Sequence, residues 1–255
     1  MAATMSTGQI QTLLARAGSQ MKALGVGMDL APVADLDANP GPSSTDPDGQ
    51  RSFSLDPDVA SRYTVAYAAG LRQSGVIPVV KHFPGLGGAT GNTDNGPAST
   101  PPLSSLRSAG LAPFRAAIDA GDPAIMVSNA SVPGLTGSPA SLSPAVVAGL
   151  LRNELGFDGL VLTDSVSAGA VTSAGYDVPK AAVAAIAAGD DMVLFGSTLT
   201  RQDVAMLTPD NVSTTLRLAT SALVSAVGSG RLPSSRIDSA VMHVVNAERL
   251  DLCAA

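Results

Sequence analysis

Apolar and polar positions along the chain alternate with two different periods. Over residues 9–24, Ile10, Leu13, Leu14, Met21 and Leu24 recur at helical spacing on one face, with Ser6 or Thr7 as cap and Gly25 and Gly27 ending the pattern. A short apolar strand follows at 28–33. A polar loop rich in Pro, Gly, Ser and Asp then covers 35–55, and loops of that length in a compact domain are usually functional. Asp56-Pro57 supplies an N-cap and a first-turn proline for a helix continuing over 59–73. Strand 76–82 ends in a second Gly/Pro/Thr/Asn loop at 84–102. Beyond it the pattern predicts helix 103–120, strand 124–128, a helix capped by Ser143-Pro144 and ending at Leu155, strand 160–163, an Ala-rich helix at 179–188 and strand 192–195. Only helices remain, at 211–227 and 234–250, parted by Arg231-Leu232-Pro233.

Strands alternating with helices in this way predict parallel βα units, an α/β fold of the TIM (β/α)8 type. The chain opens on a helix, so about two or three units of a closed barrel are expected to be missing from the front or irregular. The expected organisation is one barrel domain over 1–255, truncated at its N-terminus. Composition agrees with a packed α/β core. Hydrophobic residues make up 45% and aromatics only 3%, with no Trp, so that core must be built from Ala, Val, Leu and Ile.

Charge narrows the partners. A net charge of −6, with Lys22, Lys81 and Lys180 as the only lysines, argues against a nucleic-acid backbone as ligand. Cys253 is the only cysteine, and His82 and His243 are the only imidazoles, so no disulfide framework or zinc site can be assembled and no metal or organic cofactor is implied. No apolar run reaches the ~20 residues a membrane span needs, and residues 1–8 lack the basic and apolar regions of an export signal.

In such folds the chemistry gathers at the C-terminal ends of the strands. The polar residues there are Asp35 after the first strand, Lys81 and His82 after the second, Ser128 and Asn129 after the third, and Asp164 after the fourth. Lys81 and His82 end the run Val79-Val80-Lys81-His82-Phe83-Pro84-Gly85, where a buried strand breaks into a Pro/Gly loop. Asp164 closes the apolar run from Leu160 and suits a nucleophile or general base, or else a cap on the following helix. Asp94, within Asn92-Thr93-Asp94-Asn95-Gly96, is a second acid or a turn residue. Two carboxylates in one cleft are the minimum equipment for cleaving a glycosidic bond.

Four stretches together resemble the barrel domain of glycoside hydrolase family 3, especially its single-domain bacterial β-N-acetylhexosaminidase branch. They are Leu30-Ala31-Pro32-Val33-Ala34-Asp35, Arg51-Ser52-Phe53, Lys81-His82-Phe83-Pro84-Gly85 and Leu162-Thr163-Asp164. The Lys-His-Phe-Pro-Gly run is the specific one, and the likeness extends to the segments around Arg231 and Asp238. The resemblance implies a retaining mechanism on β-linked sugars, N-acetylglucosaminide or glucoside, with Asp164 as nucleophile. It also implies Arg51, Lys81 and His82 as holders of sugar hydroxyls; Asn129 joins them as a candidate substrate contact, and Asp35 is expected to stabilise the strand end and loop.

Two departures stand beside it. The hexosaminidase branch carries a general-acid histidine two residues after the loop aspartate, and Asn95 and Gly96 follow Asp94 here; Leu86 stands where that branch commonly has another histidine. Asp94 is itself the acid, or the acid comes from elsewhere, or that step is lost. The family's Asp-Gln-Glu-Gly-Gly-like run is also absent before Met28. A degenerate sugar-binding barrel is therefore the alternative function. The resemblance further implies a secreted or envelope-associated parent. Nucleotide binding at Gly85-Leu86-Gly87-Gly88-Ala89-Thr90-Gly91 is disfavoured, because the spacing misses both Gly-rich fingerprints and the run leads into Pro and Asn instead of a helix.

Overall fold

A computed structural model describes residues 4–37, 51–196 and 208–249. Helix α1 (Thr7–Ala23) starts with a capping box, in which Ser6 and Gln9 each satisfy the other's backbone N–H. Helix α2 (Pro57–Gln73) is capped by Asp56, whose Oδ1 accepts from the N–H groups of Asp58 and Val59 at 2.8 and 3.1 Å. The two helices pack closely because Gly70 lies against the Gln11 carbonyl and the Leu14 Cβ, where an added Cβ would come within 2.5 Å of backbone.

Among the described residues the strands β1 (Met28–Asp29), β2 (Ile77–Phe83), β3 (Ala124–Val127) and β4 (Leu160–Thr163) form one parallel sheet in the order β1-β2-β3-β4. The strand alternation sorts its two faces. Val79, Ala124, Met126, Leu160 and Leu162 share one face with Met28, Leu30 and Met192. Val80, Ile125, Val127 and Val161 face the helices with Leu111, Phe114 and Leu151. The core is aliphatic with few rings, among them Phe83 and Phe114 in edge contact at 5.4 Å.

Several elements depart from the expected bounds for local reasons. The first strand was expected over 28–33, but its regular pairing stops at Asp29. The chain still runs beside β2, since Val79 N–H and Lys81 N–H donate to the Ala31 and Pro32 carbonyls, but Pro32 has no N–H for a regular ladder. Helix 103–120 divides into α3 (Leu103–Ser105), a π-helical turn (Leu106–Gly110) and α4 (Ala112–Asp119), with Gly110 and the donor-less Pro113 at the break. The segment Ala145–Glu154 is likewise π-wound, closed by i to i+5 bonds such as Gly149 N–H to the Pro144 carbonyl. The fifth strand is reduced to a single bridge between Leu162 and Met192, continued by Val166 N–H donating to the Leu194 carbonyl. A short helix α5 (Gly169–Ser173) precedes α6 (Val178–Ala188), and α7 (Pro209–Gly228) and α8 (Ser234–Glu248) complete the described chain. Of the long polar loop, residues 38–50 lie outside the described residues, as does residue 250 of the last expected helix. No helix of the described residues is long and apolar enough to cross a membrane.

Candidate active site

The four parallel strands deliver their polar ends to one rim. Asp164 follows β4, its N–H donating to the Val127 carbonyl at 2.8 Å, and its Oδ1 accepts from the Ser165 N–H at 2.7 Å. One carboxylate oxygen is thus fixed by its own turn. The side chain is half-buried at the strand end.

Asp94 reaches the same place from the loop after β2. Asn92 Oδ1 accepts the Asp94 N–H at 2.8 Å, an Asx turn that shapes the loop tip. The loop is then tied to the segment following Asp164. Gly169 N–H donates to the Asp94 carbonyl at 3.0 Å and Ala170 N–H to that of Thr93 at 2.9 Å. Only glycine fits at 169, because a Cβ there would meet the Asp94 carbonyl oxygen at 2.8 Å and the Asn95 carbonyl carbon at 2.7 Å. Burial pushes the Asp94 pKa up, the Asp164 charge pushes it further, and His82 and Arg51 pull it back. Asp94 therefore sits within electrostatic range of all three.

His82 is almost fully buried, and its ring is held from behind. Its Nδ1 lies 2.8 Å from Asp35 Oδ2, its backbone N–H is 3.2 Å from the same oxygen, and Asp35 Oδ1 accepts the Leu86 N–H at 2.6 Å. Lys81 and Arg51 line a cleft of about 320 Å³ with Leu30, Pro32, Phe53 and Tyr67. Behind Lys81 lies a group that the sequence reading missed. Burial raises the Asp29 pKa, while Lys81 and a hydrogen bond from Tyr67 lower it, and the Tyr67 hydroxyl is pushed up to about 12 by burial and by Asp29. The signal was present in the sequence, as a lone acid between Met28 and Leu30 in an apolar strand.

Asn129 belongs to the rim but is buried. Its Nδ2 donates to the Ser165 carbonyl at 2.7 Å and its Oδ1 accepts from Ser141 at 2.6 Å, so the second amide N–H is what it has to offer a ligand. Ser128 is buried below it. Among the described residues no group of three or more His, Cys, Asp or Glu side chains converges as a metal site. A larger cavity, about 660 Å³, opens at the opposite, N-terminal ends of the strands among Lys22, Arg72, Met192 and Arg249, away from both acids.

The arrangement can present two carboxylates, one with a raised pKa, to a polar ligand gripped by a guanidinium, an ammonium and an imidazole. A family model described as the glycosyl hydrolase family 3 N-terminal domain matches residues 1–247. The protein named Beta-hexosaminidase LpqI from Mycobacterium tuberculosis is 38% identical over 250 residues, 96% of this chain and 60% of its own length. This chain thus spans about 60% of that curated relative. Among solved structures, a family 3 glycosyl hydrolase from Mycobacterium smegmatis is 37% identical with a TM-score of 0.82, covering 96% of this chain and 72% of its own. A family 3 β-N-acetylglucosaminidase from Paenibacillus is 32% identical with a TM-score of 0.85, covering 100% of this chain and 46% of its own. The shared fold is the TIM-type α/β barrel. With the motif residues gathered on one rim and the match running nearly end to end, the chain belongs to the glycosyl hydrolase family 3 N-terminal domain family.

Proposed function

We propose that the chain is the catalytic barrel of a retaining glycoside hydrolase acting on terminal β-linked sugars, N-acetylglucosaminides first and glucosides second. The observation that supports this most is the pairing of Asp94 with Asp164, with His82 and Arg51 acting on the same carboxyl. In this reading Asp164 attacks the anomeric carbon as the glycosidic C–O bond breaks, while Asp94, whose hold on a proton burial and its neighbour strengthen, gives its proton to the departing oxygen. The resulting ester between Asp164 and the sugar is hydrolysed by water, whose proton Asp94 takes back, so the anomeric configuration is retained. Arg51 and Lys81 hold hydroxyls as charged donors, and His82 orients one of them.

A second reading is sugar binding without turnover, favoured by Asn95 and Gly96 standing where the related hexosaminidases were expected to carry a general-acid histidine. The discriminating measurement is hydrolysis of an aryl N-acetylglucosaminide and an aryl glucoside by the chain and by Asp164→Asn. Turnover that falls to background in the variant, with the melting temperature unchanged, supports the hydrolase. Sugar binding with no turnover in either protein overturns it.

A further inference from the structure

The geometry points to Asp35 as a positioning residue that fixes the tautomer of the His82 ring, through the 2.8 Å contact between Asp35 Oδ2 and His82 Nδ1. Asp35 is fully buried and comes from the first strand segment, 47 residues before the imidazole it holds. An ionised carboxylate can only accept, so Nδ1 must carry a hydrogen. The neutral ring is then the Nδ1–H tautomer, with Nε2 as its accepting nitrogen. When the ring takes a second proton, the same carboxylate stabilises it and Nε2–H becomes a donor. In neither state can His82 present the reverse arrangement, with an Nε2–H and a bare Nδ1.

Asp35 also accepts the Leu86 N–H at 2.6 Å and is 3.2 Å from the His82 N–H, so it braces the turn after β2 as well. A bracing role alone would leave the tautomer free. The two roles separate in the variant Asp35→Asn, which keeps the volume and one accepting oxygen. If that oxygen stays with the backbone N–H groups, the amide NH2 faces Nδ1 as a donor, and the neutral ring must move its hydrogen to Nε2.

The inference rests on the glycosidase reading only for its effect on turnover, and its main test needs no activity. With His82 and His243 the only histidines, 15N-histidine labelling gives two ring systems, and His82→Gln identifies which belongs to His82. In the unmodified chain the His82 Nδ1 is expected to be protonated throughout neutral pH, either with a pyridine-like Nε2 or as imidazolium. A neutral Nε2–H tautomer overturns the proposal, and this arm does not depend on any variant folding. In Asp35→Asn the pattern is expected to reverse, and an unchanged pattern in the folded variant also overturns it.

Where turnover is measurable, Asp35→Asn is expected to lower kcat/KM by about 10²-fold, the scale of a misplaced contact. The double variant with His82→Gln is expected to be no worse than His82→Gln alone, because Asp35 acts through that ring. Losses that simply multiply assign Asp35 to the turn and reject the positioning role. Absent turnover with the expected 15N pattern counts against the hydrolase and leaves this assignment standing.

Discussion

At the N-terminal rim of the sheet, Asp191 receives Arg152 at 2.6 Å, Arg236 at 2.5 Å, His243 at 2.9 Å and the Val161 N–H at 2.9 Å, so both of its oxygens are taken up by the fold. At the C-terminal rim, Asp94 and Asp164 stand half-buried, and burial together with the Asp164 charge raises the Asp94 pKa. The first arrangement joins the π-wound segment, β4 and α8 through one carboxylate. The second raises the proton affinity of one acid beside another, and perturbed acids of this kind mark functional clefts. Charge spent on cohesion and charge reserved for chemistry are thus separated by the length of a strand, as stability and catalysis divide between the two faces of barrel folds.

The contrast breaks most readily at Asp191. Replacing it by Ala leaves Arg152 and Arg236 without their shared partner, and truncating one member of a buried pair typically costs about 3–5 kcal/mol. We expect a much lower urea midpoint with an unchanged slope; a midpoint that stays in place would dissolve the distinction between the rims.

Asp94→Asn probes the other rim. It is expected to lower kcat by about 10²–10⁴-fold, the usual contribution of a general acid, while stability holds or rises because a carboxyl whose ionised form is disfavoured has gone. The sign in pH follows from the raised pKa. An acid catalyst works while protonated, so activity of the unmodified chain should fall as pH rises through the elevated Asp94 pKa, and the variant should lose that alkaline limb. Equal losses on aryl sugars with good and poor leaving groups would remove Asp94 from the proton transfer.

The smallest effect sharpens the comparison from within the lower rim. Asp190, next to Asp191, is fully buried with neither carboxylate oxygen hydrogen-bonded, and burial followed by the Asp191 charge raises its pKa well above the usual range. A carboxyl whose folded pKa is raised loses stability for the protein as pH climbs from the unfolded value through the folded one. Asp190→Ala should therefore stabilise the fold at neutral pH by about 1 kcal/mol, with a gain that shrinks to nothing in acid. Denaturant titrations at several pH values read this directly, and a gain independent of pH would point to packing as its source.

How much could be read in advance depended on the range of the interaction. Strand β4 was legible as an apolar run fenced by Gly159 and Asp164, and α2 from its Asp-Pro start, because both signals are local. The break in the 103–120 helix was written in Gly110 and Pro113, yet apolar spacing outweighed them in the reading. Asp164 was visible as an acid ending a buried strand. The hold of Asp35 on His82 and the Asp29–Tyr67 group behind Lys81 were not, because each joins residues far apart in the chain that only the assembled sheet brings together.

The clasp at Gly169 gives the two acids a common frame of reference. The loop bearing Asp94 is pinned to backbone five residues beyond Asp164, so a displacement of either carries the other along. The gap between the carboxyls is therefore a property of one joined piece. Grafting a different loop after the Lys-His strand would need its matching small residue transplanted too, and a graft without it would reset the spacing that decides between retention and inversion.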